Sequence, residues 1–374
     1  MLEARNAIKN LHAYKPPLAD RTGLRLDFNE STVGCSPRVL ARLRSLDAEL
    51  LARYPERAPV EKEVAAFLKL DPEQVLLTNG VDEAIHLLCA TYLDPGDEAL
   101  IVVPTFAMYA IFAHLESAAV VQVQAGDNFT FPLKAVLEKV TTRTKLIAVA
   151  NPNNPTGSAV SGDVLMQIVQ AAPQAALLVD EAYFEFHGET LIDRTAQIEN
   201  LFVARTFSKA YGLAGLRIGI LAAEPRQMAM VRRAASPYSV NAAALAVLPE
   251  ALRDQKFIAD YVDQVKNNRD KLQLELDNLG FHFWPSHANF VLTRIGPTHA
   301  EFVRALRDRG ILVRDRNSDP GCEGCVRFTV GTDAHTQTLI TALREVTQEL
   351  QLQSKLQGDS RTDSRADSPA KMRA

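Results

Sequence analysis

The sequence predicts an α/β protein: a largely parallel sheet with helices on both faces, followed by a smaller α+β unit. Two observations carry this. Between about residues 75 and 222, short apolar runs suited to buried strands alternate with helical stretches. Beyond Pro249 the texture changes to one long charged amphipathic helix and then a mixture of strands and helices. The 374 residues are expected to divide into an irregular arm (1–35), a large domain (36–249), a small domain (250–352) and a disordered tail (353–374).

Composition bounds the function. Apolar and charged fractions of 47% and 23% fit a soluble globular protein. A net charge of −4 argues against a nucleic-acid surface. No apolar run is long enough to span a bilayer, and Met1 to Asn10 lacks the apolar core of a signal peptide. Four cysteines in so long a chain point to a reducing compartment, the cytoplasm. Cys322 and Cys325 form a C-x-x-C in a glycine-containing loop without a second pair, so no metal site is expected. Cys35 and Cys89 read as small buried apolar residues, and the eight histidines show no ligand spacing.

Taken in order, the arm holds the helix-breaking Tyr14-Lys15-Pro16-Pro17, one short strand in Leu24 to Phe28, and Asn29-Glu30, which alone is a turn. Pro37 to Leu51 has helical spacing, Arg53-Tyr54-Pro55 interrupts it, and Glu61 to Leu68 is a further helix. Val75 to Thr78 is a strand. Asn79-Gly80-Val81-Asp82-Glu83 then opens a helix running to about Leu93. Glycine admits a close ligand, and the free amides of a first helical turn attract anions. Asp82 and Glu83 also answer the helix dipole, and both uses can hold together. Ala99 to Val103 is a strand ended by Pro104-Thr105-Phe106. An aromatic at this rim can stack on a flat ring, although core packing is its commoner use.

Val120 to Gln124 and Leu146 to Ala150 are strands with a helix near Pro132 to Val140 between them. Asn151-Pro152-Asn153-Asn154-Pro155-Thr156-Gly157 then forms a rigid loop that fixes the amide of Asn154. After a helix near Val164 to Gln170, the strand Ala176 to Val179 ends in Asp180-Glu181-Ala182-Tyr183. A carboxylate at the inner end of a buried strand is costly unless paired, and a protonated pyridine nitrogen is a suitable partner for Asp180. Tyr183 is placed to hydrogen-bond a ring oxygen. The strand Leu201 to Ala204 leads into T-F-S-K-A-Y-G-L-A-G-L-R, Thr206 to Arg217.

Most lysines are solvated surface charges. Around Lys209, however, Thr206 and Ser208 offer hydroxyls, and Arg217 stands in an otherwise apolar stretch where a buried guanidinium needs an anion. This set fits a phosphate-bearing carbonyl cofactor, pyridoxal 5′-phosphate, which Lys209 could hold as a Schiff base. Strand ends thus bring Asn154, Asp180, Tyr183 and Lys209 to one rim.

In the small unit, Phe257 to Leu279 is the long helix. Phe281 to Trp284, Asn289 to Thr293, Ile311 to Val313 and Cys325 to Val330 read as strands, and His299 to Arg309 and Thr336 to Leu352 as helices. Arg314 and Arg327 stand at strand positions among apolar residues. They make either a salt bridge on the sheet or a clamp for an anionic substrate.

These motifs together resemble the fold-type I pyridoxal-phosphate aminotransferases, from Leu11 to about Leu350. Y-P-E at 54–56, N-G-V-D-E at 79–83, P-T-F-A-M-Y at 104–109 and V-R-D ahead of C-V-R-F-T-V-G-T are similar to the narrower histidinol-phosphate aminotransferase family. The resemblance implies a seven-stranded sheet in the large domain and a homodimer. It implies that Lys209 is the Schiff-base lysine and proton shuttle and that Asp180 pairs with the pyridine nitrogen. Asn154 and Tyr183 would bind the ring hydroxyl, and Phe106 would stack on the ring. Val81 and Asp82, with Thr206, Ser208 and Arg217, would hold the phosphate, joined by Tyr54 from the other subunit. Arg327 would bind the carboxylate of glutamate, and Arg314, with Tyr14 and Asn29, the phosphorylated amine.

The family's N-E-N-P-x-G becomes Asn29-Glu30-Ser31-Thr32-Val33-Gly34, which loosens the substrate assignment and leaves the cofactor assignment intact. The expected reaction moves an amino group between histidinol phosphate and 2-oxoglutarate in histidine biosynthesis. Aromatic-amino-acid aminotransferases and threonine-phosphate decarboxylase share most of the motifs. Regulators that reuse this fold without catalysis usually carry a preceding helix-turn-helix domain, for which the arm is too short.

Overall fold

In chain order the strands are β1 (Leu24–Arg25), β2 (Val75–Thr78), β3 (Glu98–Val103), β4 (Ala119–Gln124), β5 (Thr144–Ala150), β6 (Ala176–Asp180) and β7 (Leu201–Thr206). Then follow β8 (Gly219–Ala222), β9 (His282–Phe283), β10 (Phe290–Arg294), β11 (Ile311–Leu312), β12 (Arg314–Asp315) and β13 (Cys325–Thr329). This computed structural model describes residues 2–9, 11, 13 and 21–351. Tyr14 and the expected tail, 353–374, lie outside the described residues.

Strands β2 to β8 make one seven-stranded sheet in the order β2-β8-β7-β6-β5-β3-β4. Only β8 runs antiparallel to its neighbours. Every residue of β2, β6, β7 and β8 is buried. Such continuous apolar runs arise because helices cover both faces. Successive side chains divide between two cores: Leu76, Leu178 and Phe202 pack on one side, Leu77, Val179 and Val203 on the other. The edge strand β4 has only Val123 buried.

The smaller sheet is antiparallel, in the order β12-β13-β10-β9. The arm belongs to this end of the molecule. Its strand β1 pairs in parallel with β11, Leu24 opposite Ile311, and the Thr329 amide donates to the Leu26 carbonyl at 2.9 Å.

Two expectations are corrected. The helical stretch Pro37 to Leu51 is two helices, Pro37–Arg44 and Ala48–Ala52. The Asp47 carboxylate accepts from the Leu50 amide and restarts the helix, as an N-cap does. Pro249 lies inside the helix Ala242–Arg253, so a boundary at 249/250 cuts that helix. Burial of Leu245, Leu248 and Leu252 offsets the missing backbone bond, a cost of about 3 kcal/mol. The long helix is Gln255–Asn278. No helix among the described residues is long and apolar enough to cross a membrane.

Candidate active site

The carboxyl ends of β5, β6 and β7 open into one cavity of about 170 Å³, where open α/β sheets bind ligands. Ten expected residues line it. Val81 and Asp82 come from the start of the helix Gly80–Tyr92, and Phe106 from beyond β3. Asn154, Asp180 and Tyr183 follow β5 and β6. Thr206, Ser208, Lys209 and Arg217 complete the wall.

Asp180 ends β6 and is 4% exposed. Burial raises its carboxyl to about 6, against hydrogen bonds from the Tyr109 hydroxyl at 2.6 Å and the Ala182 amide at 3.0 Å. A cation bound beside it would repay that desolvation. Tyr109, 1% exposed, was missed by sequence reasoning. The available signal was its place three residues after Phe106, on the first turn of the helix Met108–Leu115. Its ring meets that of Phe106 edge-on at 5.8 Å.

The Lys209 amine donates to the Phe28 carbonyl at 3.0 Å. Burial, then the charge of Arg327, lowers its pKa to about 8, so a neutral, nucleophilic amine is accessible near neutral pH. The opposite end of the cavity suits an anion. Amides of the helix start point there, and the buried Ser208 hydroxyl has no hydrogen-bond partner among the described residues. The Thr206 hydroxyl accepts from the Ser208 amide at 3.1 Å. Gly80 has φ +74°, a backbone conformation that other residues adopt only with strain, and its missing Cβ leaves room for the end of the Arg217 side chain. Arg217 itself corrects an expectation. Its side chain is 44% exposed rather than buried, and it pairs with Asp82 at 2.8 Å.

The small sheet and the arm close the other side. Asn29, at φ +55°, donates through Nδ2 to the Tyr183 hydroxyl at 2.9 Å, and its Oδ1 accepts from Thr329 at 3.1 Å. Arg327, 4% exposed, donates to Asn154 Oδ1 and, at 2.7 Å, to the Asp27 carbonyl, while its buried Nε has no hydrogen-bond partner among the described residues. Burial lowers its pKa to about 9, with the charge of Arg316 second. Arg314 lies directly across from Arg327 between β12 and β13, its guanidinium 5.3 Å from the Phe28 ring centre. Arg316 was also missed by sequence reasoning. It is two residues beyond Arg314, and its side chain is 13% exposed against Asp319.

Tyr54 stands apart from this cavity, 78% exposed and stacked on Tyr238 at 4.5 Å. Among the described residues no group of side chains has the arrangement of a metal site.

The donor set fits pyridoxal 5′-phosphate: a carboxylate with an unmet need for a cation, an accessible neutral amine, and an anion cradle with a spare hydroxyl. Comparison with known proteins agrees. Residues 21–343 match the family Aminotransferase class I and II. Histidinol-phosphate aminotransferase of Caldanaerobacter subterraneus is 34% identical over 86% of this chain and 92% of its own length. The enzyme of that name from Roseiflexus castenholzii is 36% identical over 88% and 92%. The crystal structure of histidinol-phosphate aminotransferase from Sinorhizobium meliloti with pyridoxal-5′-phosphate superposes with a TM-score of 0.85, at 25% identity over 94% of this chain and 99% of that one.

Fold and site define a pyridoxal-phosphate-dependent transaminase. The chain belongs to the class I and II aminotransferase family.

Proposed function

We propose that this transaminase exchanges an amino group between histidinol phosphate and 2-oxoglutarate, working as a cytoplasmic homodimer in histidine biosynthesis. The observation that carries the substrate is the pair Arg314 and Arg327, set opposite each other on one face of the small sheet. The Asp319 carboxylate is among the charged neighbours of both, and a phosphate accepts several such donors at once. The names of the similar enzymes support the same reading.

When bound, the cofactor supplies an aldehyde carbon that captures amines and a ring that withdraws electrons from the substrate carbon. In the proposed mechanism Lys209 Nζ would hold the cofactor and would move the proton of the reacting carbon. Its lowered basicity lets it accept and return that proton near neutral pH. Asp180 keeps the ring nitrogen protonated, and Tyr109 holds the carboxylate in place through a 2.6 Å bond. Asn154 and Tyr183 would orient the ring hydroxyl, and Phe106 would pack against the ring. The amides of Val81 and Asp82, with Thr206, Ser208 and Arg217, hold the phosphate. Arg327 takes the carboxylate of glutamate in one half-reaction. In the other half-reaction it shares the substrate phosphate with Arg314, while Asn29 of the arm completes the described part of the substrate site. Tyr54, exposed in one chain, reaches the cofactor phosphate of the second chain.

Steady-state kinetics of the purified enzyme on histidinol phosphate, phenylalanine and phosphothreonine test this. The highest kcat/KM is expected for histidinol phosphate. A preference for phenylalanine, or release of carbon dioxide from phosphothreonine, would overturn the substrate and leave the cofactor assignment standing.

A further inference from the structure

Behind the cavity, on the reverse face of the sheet, lies a buried polar cluster that no step above uses. Glu181 and Arg205 are 2% and 8% exposed. Arg205 Nε donates to Glu181 Oε2 at 2.9 Å, and its Nη2 donates to Thr190 Oγ1 at 2.7 Å. Thr190 in turn donates to the Glu181 carboxylate at 2.7 Å, and the Leu191 amide donates to Glu181 Oε1 at 2.8 Å. The guanidinium carbon lies over the Phe184 ring, 3.5 Å from its centre.

The cluster's place in the chain suggests its purpose. Strand side chains alternate between faces. Asp180 and Thr206 face the cavity, so Glu181 and Arg205 face away from it. Three of its members are immediate chain neighbours of residues assigned to the cofactor: Glu181 of Asp180, Phe184 of Tyr183, Arg205 of Thr206. The Glu181 amide also donates to the Ala204 carbonyl at 2.8 Å, which ties β6 to β7 at this level.

We propose that Arg205, through Glu181, Thr190 and Phe184, is a positioning residue that sets the spacing between the ring-nitrogen anchor Asp180, the ring-hydroxyl anchor Tyr183 and the phosphate anchor Thr206. The cluster thereby determines cofactor affinity. It rests on the assignment of those three as cofactor contacts. A buried ion pair is by itself weak evidence for stability, since well-packed apolar residues often serve as well. Holding two anchors on neighbouring strands at a fixed distance is a task an apolar pair would perform less well, because it lacks directional bonds.

Electrostatics adds a second effect. The Glu181 charge works against ionisation of Asp180, and Arg205 neutralises it. The other titratable groups around Arg205 are Glu185, held at about 7 by burial, and Tyr211, raised by burial and then by Glu185. Without Arg205, both carboxylates on this face lose their counter-charge, so the charge of Glu181, and with it the field at Asp180, changes with pH where the wild type holds it constant.

The test titrates cofactor-free wild type, Arg205→Met, Arg205→Lys and Thr190→Val with pyridoxal phosphate across the neutral pH range, following the visible band, with melting curves in parallel. Arg205→Met is expected to weaken cofactor binding about tenfold, the lower end for loss of a supporting partner, and to steepen its pH dependence. Arg205→Lys should restore the wild-type pH dependence without restoring full affinity, because it keeps the charge and loses the fork. Thr190→Val should weaken affinity less, and it decides the matter if Arg205→Met does not fold. Titrations that superimpose on wild type at every pH would overturn the proposal. So would an affinity loss that only follows a lowered melting temperature, with unchanged pH dependence. Asp180→Asn separates the two levels. If it too leaves affinity unchanged, the contact assignment has failed, not only the role of Arg205.

Discussion

Arg314 and Arg327 face each other directly across the antiparallel pair β12 and β13. Among the arginines near the cavity, Arg327 is the one that also bonds Asn154 and the arm, so it joins the small sheet to the cofactor loop. The two should therefore differ in effect. One lost charge-assisted donor costs roughly 1.5–3 kcal/mol. That is about 10- to 150-fold in kcat/KM, at 1.4 kcal/mol per factor of ten. Arg314→Ala should lower kcat/KM for histidinol phosphate by that order and spare an aromatic amino acid, whereas Arg327→Ala should damage both. Equal losses at Arg314 on the two substrates would move the assignment to an aromatic aminotransferase.

Asp180 should show a conflict between stability and function. Its pKa rises from 3.8 unfolded to about 6 folded, so between these values the folded cofactor-free protein binds more protons than the unfolded chain. Stability then falls as pH rises through this window, and the full cost, about 3 kcal/mol for about two units, applies above pH 6. Asp180→Asn removes it. Melting of the cofactor-free variant should match or exceed wild type at neutral pH and lose that advantage near pH 4, while cofactor affinity falls. Equal destabilisation at both pH values would contradict this.

Capture of the cofactor should report the basicity of Lys209. Only the neutral amine attacks a carbonyl, and burial has lowered its pKa to about 8. Stopped-flow mixing of cofactor-free protein with pyridoxal phosphate should give a rate that rises with pH and levels off above about 8. A midpoint near the ordinary lysine value of 10.5 would show that the amine is solvated. Lys209→Ala should bind the cofactor without the borohydride-sensitive band and should not turn over.

Tyr54 decides whether the sites are shared. If it serves the neighbouring chain, a hybrid of Lys209→Ala and Tyr54→Phe subunits has one site with both lesions and one with neither. Mixed and re-equilibrated variants should then exceed the summed activity of the separate parents. No gain on mixing, or a fully active monomer in sedimentation, argues that each chain is complete.

The cavity-facing residues at the ends of β5, β6 and β7 were readable from the chain because each depends on a local pattern. An apolar run sets a buried strand and the next few residues must turn: Asp180 ends its strand, and Asn154 and Lys209 stand in such turns. The same locality predicted the helix start at Gly80 and the two arginines on small-sheet strands. Apart from the local cap at Asp47 and the missed Arg316, what failed or was missed depends on segments far apart in sequence. Tyr109 reaches Asp180 across 71 residues, and Asn29 reaches Tyr183 across 154. β1 joins β11 although nothing near Leu24 announces Ile311. Arg217 was expected to be buried because its neighbours are apolar, yet burial depends on which elements pack over a residue, and there the chain leaves it at the surface beside Asp82. Hydrogen bonds and desolvation are set by the surroundings of a side chain in space, so only the packed molecule could decide them.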